Sequence, residues 1–177
     1  DMIATDHAPH DPAEKRRDDI WTADCGFPGV ETQMQLMLTA VNEGRFSLAE
    51  YVRMSAAAPA RAFGLFPRKG SLAVGADADI AFVDMGRRHV IRAAELHSRG
   101  KITPFEGMET VGLPVHTMVR GRFAMRDRRL VTDTAGWGRS VRRVQEMPTP
   151  QPRNLDQTME AVLRPPAPSP ARPRAVA

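Results

Sequence analysis

The chain has 177 residues, is 42% hydrophobic, and carries 25 Lys and Arg against 21 Asp and Glu, for a net charge of +4. That length suits one sizeable core, no apolar run reaches the 18 or so residues of a membrane span, nothing resembles a signal peptide, and the single cysteine, Cys25, excludes an internal disulfide framework and fits a reducing cytoplasm. Residues 1–86 hold 8 basic against 13 acidic side chains and residues 87–143 hold 13 against 5, yet the arginines alternate with apolar residues, as in Val119-Arg120-Gly121-Arg122-Phe123, without the aromatics of a stacking platform, so no nucleic-acid partner is expected.

Residues 1–5 read as a short buried strand end that runs into the turn Thr5-Asp6-His7-Ala8-Pro9-His10. A carboxylate and two imidazoles on a Pro-stiffened turn could hold Asp6 at a divalent metal and a histidine further along a substrate, and the C-terminal end of a strand is where α/β barrels place their chemistry. The same residues would also make an ordinary surface turn, in which Asp bonds its own backbone and Pro presets φ. His7 and His10, three apart across Pro9, do not form the two-histidine helix face of a zinc protease. Residues 14–19 read as a solvated charged loop. In Cys25-Gly26-Phe27-Pro28-Gly29, two glycines either let backbone approach a ligand or build a tight turn ahead of a helix.

That helix is expected over residues 31–42, where Met34, Met37, Leu38 and Val41 recur at helical spacing as core packing and Gly44 supplies the stop. Ser47 and Glu50 form a capping box for a second helix with Leu48, Tyr51 and Val52 on one side. Ala58-Pro59 should end it, since the residue before Pro is pushed out of the helical region, and Pro59 should open a third helix that ends at Gly64. Residues 70–84 then give two short apolar stretches around a Gly-containing turn, which is strand chemistry. Residues 117–119 and 123–125 flank a hairpin turn at Arg120-Gly121, with Leu130-Val131 as a return strand. Eight of the 15 prolines lie from Pro148 onward, so the end of the chain reads as a polyproline-II or disordered tail. The expected organisation is thus residues 1–66, 67–144 and 145–177.

Five segments, in order, carry a resemblance: Thr5-Asp6-His7-Ala8-Pro9-His10, the loop Gly26-Phe27-Pro28-Gly29-Val30-Glu31-Thr32, Ala58-Pro59-Ala60-Arg61-Ala62-Phe63-Gly64-Leu65, the run from Lys69-Gly70-Ser71 to Asp79-Ile80, and Lys101-Ile102-Thr103-Pro104-Phe105-Glu106-Gly107. Together they resemble the cyclic amidohydrolases of the dihydroorotase, allantoinase and hydantoinase group over residues 1–135, most nearly the dihydroorotases. The resemblance implies an α/β fold: the C-terminal end of a metal-dependent (β/α)8 TIM barrel, its last strand at residues 2–5, followed by the C-terminal part of a small β-sandwich. It implies that Asp6 binds a divalent metal, zinc above all, and shuttles the catalytic proton. It implies that His10 hydrogen-bonds a substrate bearing a carboxylate, and that Gly26, Phe27, Pro28 and Gly29 offer backbone groups to the amide edge of the ring. His7 is expected to pack or hydrogen-bond rather than to ligate.

Family members supply their other metal ligands upstream, from a His-x-His, commonly a carboxylated Lys, and two further His. His89, His97 and His116 fall in the sandwich segment and are expected to be surface or packing residues. The chain therefore reads as the C-terminal piece of a homo-oligomeric, cytoplasmic enzyme acting on a small cyclic amide, inactive alone. Allantoinase or hydantoinase activity, a non-catalytic dihydroorotase-like scaffold, and a free-standing basic β-module are the competing readings.

Overall fold

A computed structural model describes residues 1–143, and the expected Pro-rich tail lies outside the described residues. Four α-helices precede four strands: α1 Pro12–Lys15, α2 Val30–Asn42, α3 Leu48–Val52, α4 Ala58–Ala62, then β1 Ile80–Val90, β2 Glu109–Val119, β3 Arg122–Arg126 and β4 Arg129–Leu130. The mixed helix and sheet agrees with the α/β expectation. Among the described residues no helix is long and apolar enough to cross a membrane.

The strands form one antiparallel meander in the order β1-β2-β3-β4. Its central turn is the expected one. Arg120 and Gly121 both take positive φ, 45° and 81°, the backbone that matches the twist of a two-residue hairpin. Asp127 and Arg128 repeat this between β3 and β4 with φ of 50° and 62°, held by their own N–H groups: Asp127 donates to His116 Nδ1 at 3.0 Å and Arg128 to the Val115 carbonyl at 3.0 Å. Arg128 also reaches β1, where its Nη1 lies 3.2 Å from His89 Nδ1. Burial first, and this guanidinium second, hold the His89 imidazole below its ordinary value, with Glu95 Oε2 at 3.7 Å pulling the other way.

α2 covers β2, and its buried face differs from the methionine stripe. Thr32, Gln35, Leu38 and Thr39 are buried, whereas Met34, Met37 and Val41 are partly exposed. The cause is the surface it meets. β1 and β2 present backbone groups as well as side chains, so Thr39 Oγ1 accepts from the Val111 N–H at 2.9 Å and Asn42 Nδ2 donates to the Val111 and Met85 carbonyls at 2.8 and 2.9 Å. The Thr110 hydroxyl donates to Gln35 Oε1 at 3.4 Å, and Leu38, Ile91, Leu96 and Leu113 complete the core.

The capping box at Ser47 forms as expected, the hydroxyl accepting from the Glu50 N–H at 3.1 Å and Glu50 Oε2 from the Ser47 N–H at 2.8 Å. The Ser47 N–H first, and the Ser47 hydroxyl donating to the same Oε2 second, hold the Glu50 carboxyl below its ordinary value. Of its expected apolar side only Tyr51 is buried, while Leu48 and Val52 are exposed. The helix does not stop at Ala58. A π-helical turn, Arg53–Ala57, joins α3 to α4, and Ala58 keeps helical angles of −65° and −49°. Pro59 sits in the first turn of α4, where its missing N–H costs least, so the wider turn absorbs it without a break.

Three further expectations are corrected. Residues 2–5 form no strand, because a strand exists only by pairing; the Ile3 N–H donates instead to the Met54 carbonyl at 3.1 Å. Residues 70–79 form a loop rather than a strand, with Leu72 and Val74 exposed. Charge closes it: Lys69 lies between Asp77 and Asp79, and Arg68 Nε donates to Asp77 Oδ2 at 3.0 Å. The charged run from Glu14 begins not as loop but inside α1, whose own capping box pairs Asp11 with Glu14.

Candidate functional site

The 5–10 turn, the 26–29 loop and residues 97–105 meet at one end of α2. Asp6 adopts φ of 44°, a left-handed conformation that Asp tolerates better than most residues, and its carboxylate is exposed. Among the described residues that carboxylate has no hydrogen bond or ion pair, which leaves both oxygens available to a cation.

The loop is docked onto the turn by backbone contact. The Ala8 N–H donates to the Phe27 carbonyl at 3.1 Å. A Cβ on Gly26 would lie 2.6 Å from Ala8 Cβ, and one on Gly29 2.9 Å from the Thr5 carbonyl oxygen, so both positions require glycine for this approach. Pro28 and Gly29 are buried, whereas Gly26 and Phe27 face outward. The Phe27 ring meets Phe105 edge-on, 5.9 Å between centroids, and Gly100 packs against the His10 carbonyl.

His7 joins turn, loop and helix. Its Nδ1 accepts the N–H groups of Gly29 at 3.1 Å and Val30 at 3.2 Å. Gly29 is the N-cap of α2 and has no side chain to do this, so the imidazole caps the helix from 22 residues away. Nδ1 is thereby an acceptor and the ring proton sits on Nε2.

His10 is half-buried beside two carboxylates, its Nδ1 3.8 Å from Glu14 Oε2 and 4.0 Å from Asp24 Oδ2. These three residues offer ligand atoms within 4.8 Å of one another and could share a cation; Asp6, the expected metal ligand, stands outside that group. Glu14 is already engaged through its bond to the Asp11 N–H at 2.9 Å.

Lys15 was not singled out by sequence. Its Nζ donates to the Asp24 carbonyl at 2.8 Å and to the Gly26 carbonyl, while the Asp24 N–H donates to the Glu14 carbonyl at 3.3 Å. The signal that could have found it is Asp11-Pro12-Ala13-Glu14, a helix start as clear as Ser47-Leu48-Ala49-Glu50. His97, expected as a surface or packing residue, is exposed and holds α2: its N–H and Nδ1 lie 2.8 and 2.6 Å from the two Glu31 carboxylate oxygens. His89 and His116 bond within the sheet and stand in the packing roles expected of them.

The family model described as "Amidohydrolase family" matches residues 1–124. Dihydroorotase of Methanothermobacter thermautotrophicus is 48% identical over 126 residues, covering 71% of this chain and 29% of that protein. L-hydantoinase of Paenarthrobacter aurescens is 41% identical over 124 residues, with 68% and 27% covered. Among solved structures, D-hydantoinase (dihydropyrimidinase) from Thermus sp. superposes with a TM-score of 0.77 at 36% identity, over 81% of this chain and 32% of that one. The chain thus spans under a third of the length of the relatives it matches.

Proposed function

The chain belongs to the amidohydrolase family, and on that premise we propose that it forms the C-terminal part of a metal-dependent enzyme that hydrolyses the ring C–N bond of a cyclic amide, interconverting dihydroorotate and N-carbamoyl-aspartate. In this reading residues 1–66 close a (β/α)8 barrel and residues 67–144 belong to a β-sandwich beside it. The observation that carries it is the docking of the 26–29 loop onto the 5–10 turn, which sets the exposed residues Gly26 and Phe27 beside the segment bearing Asp6 and His10.

A divalent metal, zinc by expectation, would when bound lower the pKa of water to about 7 and polarise the amide carbonyl. Asp6 fits it as a ligand, being a carboxylate on an exposed turn with no competing partner among the described residues. One ligand does not make a hydrolytic site, so the 177 residues alone are proposed to lack turnover. The Asp6 carboxylate takes the proton of the attacking water and hands it to the leaving amide nitrogen. The backbone of the 26–29 loop pairs with the amide edge of the ring, and the imidazole of His10 donates to the substrate carboxylate.

The hydantoinase relatives favour a second reading, a ring without that carboxylate. His10 separates the two. A hydrogen bond to a charged group is worth about 1.5–3 kcal/mol, so His10→Ala in the full-length enzyme should lower kcat/KM for dihydroorotate about ten- to two-hundredfold. It should lower kcat/KM for unsubstituted hydantoin far less. Equal losses would give the assignment to hydantoinase or allantoinase. Asp6→Asn should abolish most turnover on either substrate with the fold intact.

A further inference from the structure

We propose that Lys15 is a positioning residue for the substrate loop, fixing the peptide planes of residues 24–26 so that the 26–29 backbone meets the amide edge of the ring. The inference rests on the reading of that loop as a substrate contact. Lys15 lies on α1, which is only four residues long and is held by its Asp11–Glu14 capping box. From there its partly covered ammonium donates to two backbone carbonyls of the loop, those of Asp24 and Gly26.

A staple is needed at this place. Gly26 has φ of 87° and no side chain, so its own preferences leave the loop free to swing. His7 secures the far end at Gly29 and Val30, and Lys15 secures the near end. The His7 clamp lies in the turn that carries Asp6 and His10 and the Lys15 clamp on α1 directly after it, so loop and catalytic turn are held in one frame. Without the ammonium, two carbonyls lose their shared donor, and the long Asp24 N–H bond to the Glu14 carbonyl and the Ala8 N–H bond to the Phe27 carbonyl are left to hold that end of the loop.

The test uses the full-length enzyme with Lys15→Met and Lys15→Arg. Lys15→Met keeps the stem and removes the donor. It should speed amide hydrogen exchange across residues 24–28 and raise KM for dihydroorotate about tenfold with kcat changed much less, because the loop grips the ring in ground and transition states alike. Bound zinc and the unfolding midpoint should stay at the parent's values. Lys15→Arg, which keeps a cation of similar reach, should recover most of the loss. Unchanged exchange and KM would overturn the proposal, as would faster exchange throughout the chain with a lowered midpoint, the mark of a merely structural role. Faster exchange confined to the loop with unaltered kinetics would show that the loop does not touch substrate, overturning the reading on which the proposal rests and the proposal with it.

Discussion

Replacing His7 should weaken the protein by the worth of a helix cap, although His7 lies far from α2 in sequence. Its Nδ1 receives the N–H groups of Gly29 and Val30 at 3.1 and 3.2 Å, two of the donors that a helix start leaves without partners. Gly29 offers no side chain in exchange. Loss of an N-cap costs about 0.5–2 kcal/mol, and a net hydrogen bond about 1 kcal/mol, so His7→Ala should destabilise by about 1–2 kcal/mol. His7→Phe keeps the ring without an acceptor and should cost as much, whereas His7→Asn, with a carbonyl that could accept one N–H, should recover part of the loss. Thermal and urea melts of the full-length variants decide it. If His7→Phe melts with the parent, the imidazole is not the cap. If His7→Asn is no better than His7→Phe, the acceptor is not what matters at that position.

Two further outcomes follow from local chemistry. Ser47→Ala removes the acceptor for the Glu50 N–H and half of a capping box, and should cost about 0.5–2 kcal/mol in a urea melt, with Ser47→Asp close to the parent. His89 has its folded value depressed below the ordinary 6.5, so the unfolded chain takes up the proton first. Its contribution is therefore complete above about pH 6.5 and is lost as pH falls from there through the folded value. His89→Gln should flatten the stability profile in that window, and an unchanged slope would count against the burial argument.

What the sequence made legible was local. The capping box at Ser47, the helix over residues 31–42 and the Arg120-Gly121 turn each depend on residues within a few positions of one another, and each is present. The failures have separate physical causes. Pro59 was expected to end a helix, but a proline in a first turn is tolerated and the π turn before it takes up the misfit. Strand chemistry at residues 70–79 lost to ion pairs that bring Arg68 and Lys69 back to Asp77. The buried face of α2 is polar at Gln35 and Thr39 because the sheet it meets presents backbone, which no hydrophobic pattern encodes. His7 and Lys15 act on groups up to 23 residues away, so composition and spacing could name them only as a turn residue and a surface charge.

The five family-like segments divide by what they touch. The 5–10 turn, the 26–32 loop and residues 101–107 converge, through Ala8 with Phe27, His7 with Val30, and Phe27 with Phe105. The other two build the frame. In the segment at 58–65 the buried Ala60 carbonyl accepts from the N–H groups of Leu65 and Phe66 at 2.7 and 3.0 Å, and in the run at 69–80 Lys69 is locked between two aspartates. A family motif therefore does not by itself mark chemistry. Substitutions in the frame should act through folding, whereas the first group contains the exposed Asp6 carboxylate, with no partner among the described residues, and the exposed residues Gly26 and Phe27, whose carbonyls are held by Lys15 and Ala8. That asymmetry, held backbone beneath and free polar groups above, is what a site must have before substrate or metal arrives. It is the physical support for the proposal that the 5–10 turn takes part in the chemistry.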